Sequence, residues 1–484
     1  MILVDNKEAN TIPFNRHLIS LACVAIIASG GTYKLMDIKQ ERARQQSELT
    51  YPHGEDLAKV NATYETIVSN YVGEIDKNEL INGAIKGMTT ALDDPYSDYL
   101  VDDESEDLNE TITGSFEGIG ATMQVDGDQP KIAEPPIKDS PAEKAKLKAN
   151  DLILKVDGKE TAGQELTEVV SKIRGKKGTE VTLTIERDGK VFDVTLTRDT
   201  IPIETVFSNI DKNDKTVGNI RVATFTEHTS QEFHDAIDDL RKAGAKSFII
   251  DMRQNPGGLL DQAAIMSSMF LKDGKTIVKF EDKNENKEQL VASKNLDGGF
   301  KVTEPTVVLV NEGSASASEI FAAALNESAN IKVVGATTFG KGTMQNVQSL
   351  GNNSNLKLTT NKWLTPKGTW VNEKGLKPSV TVDFPSYYDS IPIDRSQLFK
   401  LGDTGEEIKN INLILNGLGY DVPKDSDSYS EQTEASIKEV QEKAKLEVTG
   451  SLDKETATAI EMALYEQIIK NDLIYEAGLK ALTK

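Results

Sequence analysis

The chain has 484 residues, 38% of them hydrophobic and 27% charged, which is ordinary for a soluble protein and enough for several separate cores. Lys and Arg total 55 against 77 Asp and Glu, and the net charge of -22 repels phosphate backbones and argues against a nucleic-acid partner. One cysteine, Cys23, and four histidines, His17, His53, His228 and His234, form no disulfide framework, thiolate site or HExxH-type pattern, so neither a metal nor another cofactor is expected.

After a tail over 1–16, the stretch "HLISLACVAIIASGGTYKLM" (17–36) is nearly uncharged and fits a membrane anchor or a signal segment; an uncleaved anchor is the expectation. Local charge would leave the remainder in the cytoplasm, since Lys34, Lys39, Arg42 and Arg44 follow the segment. Long domains, however, translocate largely regardless of charge. A helical region spans 50–110: Leu57, Val60, Tyr64, Ile67 and Val68 recur at helical spacing, and Pro95 in "LDDPYSDYL" stops the last helix.

Residues 111–199 read as a compact β-rich module broken by glycine and charge, with one helix at "QELTEVVSKIRG". Within it, "VTLTIERDGKVFDVTL" predicts a hairpin turning at Asp188-Gly189. From 200 to 385 apolar strands such as "SFIIDMR", "PTVVLV" and "IKVVG" alternate with helical segments, which implies a sheet covered by helices. A third texture, helices separated by glycine turns, occupies 396–470. The fold class is therefore multidomain α+β: N-terminal helices, a β-rich module, an α/β core and a small three-helix domain.

Three stretches in the α/β part bear on chemistry. "GSASASE" (313–319) follows an apolar strand, and its Ser316-to-Glu319 spacing fits a capping box as well as a nucleophile. "GATTFGKGT" (335–343) nearly spells a phosphate loop, but Gly342 stands where Ser or Thr must hold Mg²⁺ and the following residues look extended. Lys341 in that stretch can serve instead as a general base if burial lowers its pKa to about 7 to 8. "DMRQNPGG" (251–258) ends a buried strand in a turn whose glycines let backbone N–H groups approach a ligand.

Together "LDDPYSDYL", "DMRQNPGG", "GSASASE", "GKG" with a glutamine four residues past the lysine, and "WLTPKG" resemble the carboxyl-terminal processing peptidases, the tail-specific proteases. The resemblance covers about 55–385. It implies Ser316 as nucleophile, chosen over Ser314 and Ser318, with Lys341 as general base and Gln345 orienting the amine. The N–H of Ala317 and a glycine of the Gly257-Gly258 pair would form the oxyanion hole. Trp363 and Ser379 depart from the usual tyrosine and aspartate of the family.

The β-rich module resembles a PDZ domain, with Gly118, Ile119 and Gly120 as the loop for a peptide's terminal carboxylate and Arg174 coupling docking to the protease. Lys146 and Asn150 replace two usual glycines. "LGDTGEEIKNINLILNGLGY" and "VTGSLDKETATAI" resemble peptidoglycan-binding domains, which places the bulk of the chain outside the membrane. The resemblance thus implies a membrane-tethered, extracytoplasmic serine endopeptidase acting on protein tails, without cofactor, and a homodimer through the N-terminal helices. A wall-bound peptide scaffold with a degenerate centre, an NTPase using Lys341, and a serine enzyme using His228 or His234 are the rival expectations.

Overall fold

The structure, a computed structural model, describes residues 56–482. The apolar stretch 17–36, with Cys23 and the expected anchor, lies outside the described residues, and so do His17 and His53. Among the described residues no helix is long and apolar enough to cross a membrane. The chain divides into two compact units at Gly87 and Met88. In the first, the helix Ala58–Asn70 has no buried residue, and a second helix, Lys77–Thr90, begins there and runs past the boundary.

The second unit opens with the strand Asp98–Val101 and the helix Asp102–Thr113, followed by the β-rich module. Its main sheet pairs Met123–Asp126, Gln129–Ile132, Leu152–Val156, Glu180–Arg187 and Lys190–Thr197 in that order, so Met123–Asp126 is an edge strand. The hairpin turns where expected, with Asp188 and Gly189 both at positive φ. Val181, Leu183 and Ile185 alternate into the core, where Val169 and Ile173 of the helix Leu166–Ile173 meet them. Lys146 (φ 60) and Asn150 (φ 69) both adopt a left-handed backbone, the conformation glycine takes without strain. Lysine pays the Cβ penalty there, and the Arg187 guanidinium, bonded to the Lys146 carbonyl at 3.0 Å, helps hold the turn.

The central sheet runs Val206–Ile210, Val217–Val222, Ser247–Asp251, Thr306–Val310, Lys332–Gly335 and Val380–Thr381; the first pair is antiparallel and the rest are parallel. Thr306–Val310 is buried at every position because both faces are covered. Val308 and Val310 point to the side carrying the helices Thr229–Lys242, Leu260–Phe270 and Ala317–Ala329, while Val307 and Leu309 point to the other. That other face is covered by the terminal helix Leu473–Leu482, which lies beyond the segments assigned from the sequence. Gly478 permits the close fit: a Cβ there would stand 2.7 Å from Leu309 Cδ2. Asp472, at the entry to this helix, pairs with Arg253 at 2.6 Å.

The helices Glu406–Gly417, Glu431–Ala444 and Lys454–Lys470 enclose a separate core around Ile411, Leu415, Tyr429, Ile437 and Ile460. A further sheet joins Asp98–Val101, Ser354–Leu364, Thr276–Asp282 and Lys287–Val291, with Thr343–Gly351 also paired to Ser354–Leu364. Lys341 is thus followed by a strand, which removes the helix N-terminus that a phosphate loop requires.

At Gly335 (φ +137) a methyl would sit 1.9 Å from the Val310 carbonyl oxygen. Gly335→Ala is expected to lower the unfolding free energy by about 3 kcal/mol or more in denaturant titration, combining backbone strain with overpacking. Gly127→Ala, with positive φ but open space, should lose only about 1 kcal/mol.

Candidate active site

Three loops leave the carboxyl ends of three adjacent parallel strands, Ser247–Asp251, Thr306–Val310 and Lys332–Gly335. Ligands collect at such ends. They carry the "DMRQNPGG" turn, the three serines and Lys341.

The serines are separated by their surroundings. Ser314 Oγ donates to the Met252 carbonyl at 2.8 Å and Ser318 Oγ to the Asn255 carbonyl at 2.9 Å, and both side chains are buried. Ser316 is partly exposed and held at φ 54, ψ -113, a strained turn between strand and helix. Such a conformation costs on the order of 1–3 kcal/mol and lifts a hydroxyl clear of the sheet. Ser316 also begins the helix Ala317–Ala329, whose N-terminal dipole favours negative charge beside it.

The capping reading of Glu319 captures half of its role. Its carboxylate is fully buried and accepts from Ser316 N at 2.8 Å, and also from Lys341 N at 2.9 Å, both at Oε2. Oε1 takes Gly340 N at 2.8 Å and Thr338 Oγ1 at 2.5 Å. One oxygen atom therefore joins the backbones of residues 316 and 341. The sequence signal for this was a glutamate three residues past the serine, which local capping explained without it.

Lys341 is further fixed through its carbonyl, which accepts from the Trp363 indole at 2.7 Å. The departure from tyrosine at 363 thus supplies a donor to the lysine loop. Burial pushes the Lys341 amine below the ordinary lysine range, and the positive charge of Lys357 acts the same way, against Asp94 and Glu319. Its Nζ lies 4.6 Å from the centre of the Tyr96 ring. Asp94 and Tyr96 belong to "LDDPYSDYL", so this motif reaches the site, which sequence reasoning did not anticipate.

Gln345 is close by but its amide contacts other groups: Nε2 donates to Thr343 Oγ1 and to Thr359 Oγ1, each at 3.1 Å. Around the serine, a Cβ on Gly257 would lie 2.8 Å from Ser316 Cβ and 3.0 Å from Ala317 N, so only glycine allows the two loops to touch. The Gly257 N–H is taken by Asn255 Oδ1 at 2.9 Å, which leaves Gly258 and Ala317 as the available donors. Asn255, buried and absent from the sequence candidates, also donates to the Val222 carbonyl and ties the turn down. Arg253 in the same turn is held above its ordinary pKa: burial opposes its charge, but the carboxylates of Asp251 and Asp472 outweigh that.

In the β-rich module, Ile119 is buried and its carbonyl accepts from Ala142 N, while the Gly120 carbonyl accepts from Ile137 N. The edge strand Met123–Asp126 follows directly. Arg174 bonds both oxygens of Glu110 at 3.0 and 2.9 Å and stacks over Phe116. His234 pairs with Asp235 and packs on Phe300, and His228 lies exposed at the start of the helix Thr229–Lys242.

Family models match four parts of the chain: peptidase family S41 at 216–382, the activating protease CtpB N-terminal domain at 25–105, a PDZ domain at 132–187 and a peptidoglycan binding domain at 404–460. The carboxy-terminal processing protease CtpA of Bacillus subtilis (strain 168) is 45% identical over 427 residues, 88% of this chain and 90% of the relative. A CtpA-like serine protease of Staphylococcus aureus (strain N315) is 41% identical over 427 residues, 88% and 85% of the two chains. The solved photosystem II D1 C-terminal processing protease is 28% identical, covering 68% of this chain and 88% of its own, at TM-score 0.39.

Removing a positive neighbour makes the ammonium form easier to keep, so Lys357→Gln should move the Lys341 titration to higher pH. NMR of isotopically dimethylated lysines reads that midpoint directly, and an unmoved midpoint would contradict the assigned electrostatics.

Proposed function

The chain belongs to the carboxy-terminal processing proteases of peptidase family S41, and on that footing we propose that it cleaves protein tails with Ser316 as nucleophile, Lys341 as general base and Gln345 orienting the amine. The observation that carries this reading is the convergence of Ser316 and Lys341 on one oxygen of Glu319. A neutral amine takes the serine proton as Oγ attacks the scissile carbonyl, then returns it to the leaving amine. Burial of Lys341 favours that neutral form. The N–H groups of Gly258, in the 251–258 turn, and of Ala317, the first residue of the helix Ala317–Ala329, stabilise the oxyanion, each donor contributing about 3 to 4 kcal/mol.

The PDZ domain receives the substrate's end. In the proposal the loop Gly118–Ile119–Gly120 holds the terminal carboxylate while the peptide adds to the edge strand Met123–Asp126. Arg174 transmits occupancy, since its partner Glu110 lies on the helix Asp102–Thr113, which directly follows the strand leading back to Tyr96. The stretch 17–36 tethers the enzyme to the membrane, and the peptidoglycan-binding module sets the catalytic part on the cell-wall side. Exposed Val60 and Ile81 on the two N-terminal helices support a homodimer formed through that region.

Ser316→Ala and Lys341→Ala are each expected to lower kcat/KM by at least about a thousandfold with the fold intact by near-ultraviolet circular dichroism. Ordinary turnover by either variant refutes the assignment. A non-cleaved peptide with a free C-terminal carboxylate should accelerate cleavage of a second substrate, and its amidated form should not. Equal effects of the two peptides would remove carboxylate sensing from the proposal.

A further inference from the structure

The strands Thr343–Gly351 and Ser354–Leu364 pair in an antiparallel ladder whose register shifts twice, once near the turn between Ser349 and Gly351 and once beside the lysine. There the register steps from Met344↔Asn361 to Gln345↔Thr359, leaving Thr360 as a bulge. Bulges re-aim side chains. This one sets Gln345 directly opposite Thr359, and both N–H groups of the Gln345 amide are then spent on threonine hydroxyls. What remains of the amide is its carbonyl oxygen, an acceptor.

Thr359 is itself anchored from a distant part of the chain. Its N–H donates to Ser97 Oγ at 2.9 Å, and Ser97 Oγ donates to Asp94 Oδ2 at 2.5 Å. Asp94 also accepts from Tyr96 N at 3.2 Å, which closes the turn over Pro95. With its backbone held in this way, Thr359 presents its hydroxyl as the acceptor for the Gln345 amide N–H. Burial alone would raise the Asp94 pKa, but the bonds from Ser97 and Tyr96 N, with the charge of Lys341, hold it below the ordinary value.

We propose that Asp94, Ser97 and Thr359 are positioning residues that fix the Gln345 amide with its oxygen toward the Lys341 amine. A neutral amine has two N–H groups and one lone pair, and an acceptor that captures an N–H leaves the lone pair aimed at the serine proton. An amide turned the other way would offer a donor to that lone pair and disable the base. The inference rests on the Ser-Lys-Gln reading above. It gives "LDDPYSDYL" a chemical task, one that no sequence feature assigns to it.

The groups acting on the Lys341 amine are Asp94, Glu319 and Lys357, with the ring of Tyr96 beneath it. Removing the charge of Asp94 therefore lowers the Lys341 pKa.

The test uses the full chain and an internally quenched peptide with a free C-terminal carboxylate. Thr359→Val should lower kcat about tenfold or more with KM within about twofold, and Thr359→Ser should restore most of the rate. The double variant Thr359→Val with Gln345→Ala should be no slower than Gln345→Ala alone, because the threonine acts only through the amide. Asp94→Asn should lower kcat and move the acid limb of the pH profile to lower pH. A wild-type kcat in Thr359→Val, or multiplying effects in the double variant, overturns the proposal. If the valine variant melts early, the Asp94→Asn profile decides instead, and an unmoved acid limb with unchanged kcat overturns it equally. Turnover by Ser316→Ala or Lys341→Ala would instead refute the underlying Ser-Lys reading, so the two failures are distinguishable.

Discussion

Glu319 holds a carboxylate with no access to solvent, accepting three backbone N–H groups and one hydroxyl drawn from two loops. Burying a carboxylate is costly unless its lone pairs are filled, and here all the partners come from the serine turn and the lysine loop. The proposed nucleophile and base are therefore not independent features that happen to meet. Displacing either loop leaves a buried charge short of partners, so the same constraint that positions one positions the other.

Around that carboxylate, the sheet contributes its strand ends and glycine contributes access. Ser316 sits at a backbone conformation that a non-glycine residue adopts only when its surroundings impose it. The surroundings do so from both sides: Ser314 and Ser318 are tied to carbonyls of the 251–258 turn, and Gly257 leaves just enough room for the turn to press on Ser316. The alternating serines thus divide the work, two as fasteners and one left partly exposed. Lys341 is held by its backbone, which leaves the side chain to respond to Tyr96, Asp94 and Lys357.

Local pattern was sufficient wherever the chain's period and turns determine the structure. The hairpin at Asp188-Gly189, the doubly buried strand Thr306–Val310 and the helix behind Ser316 follow from alternation, turn chemistry and helix propensity, and each was legible. The proposed site residues Ser316, Lys341, Gly257 and Ala317 stand out in the sequence only as a set, because each alone has a plainer structural explanation. What stayed hidden depends on contacts between residues far apart in sequence. The Thr359–Ser97 bond spans 262 positions and the Arg253–Asp472 bond 219, and neither leaves a periodic trace. The terminal helix Leu473–Leu482 was missed for the same reason: its apolar residues find their partner face on a sheet whose last strand, Val380–Thr381, is separated from it by the whole three-helix domain.

That terminal helix changes what kind of attachment the module matching the peptidoglycan binding domain has. A domain appended at the end of a chain swivels on one linker, whereas this three-helix core is spliced between the protease sheet and a segment that returns to the same sheet, where Lys332 Nζ bonds the Ala481 carbonyl. It is gripped at both ends, like a link closed on its own chain. Tension applied to it is borne by the apolar seam at Leu309 and by the Asp472 clasp on Arg253, in the same turn whose Gly257 touches Ser316.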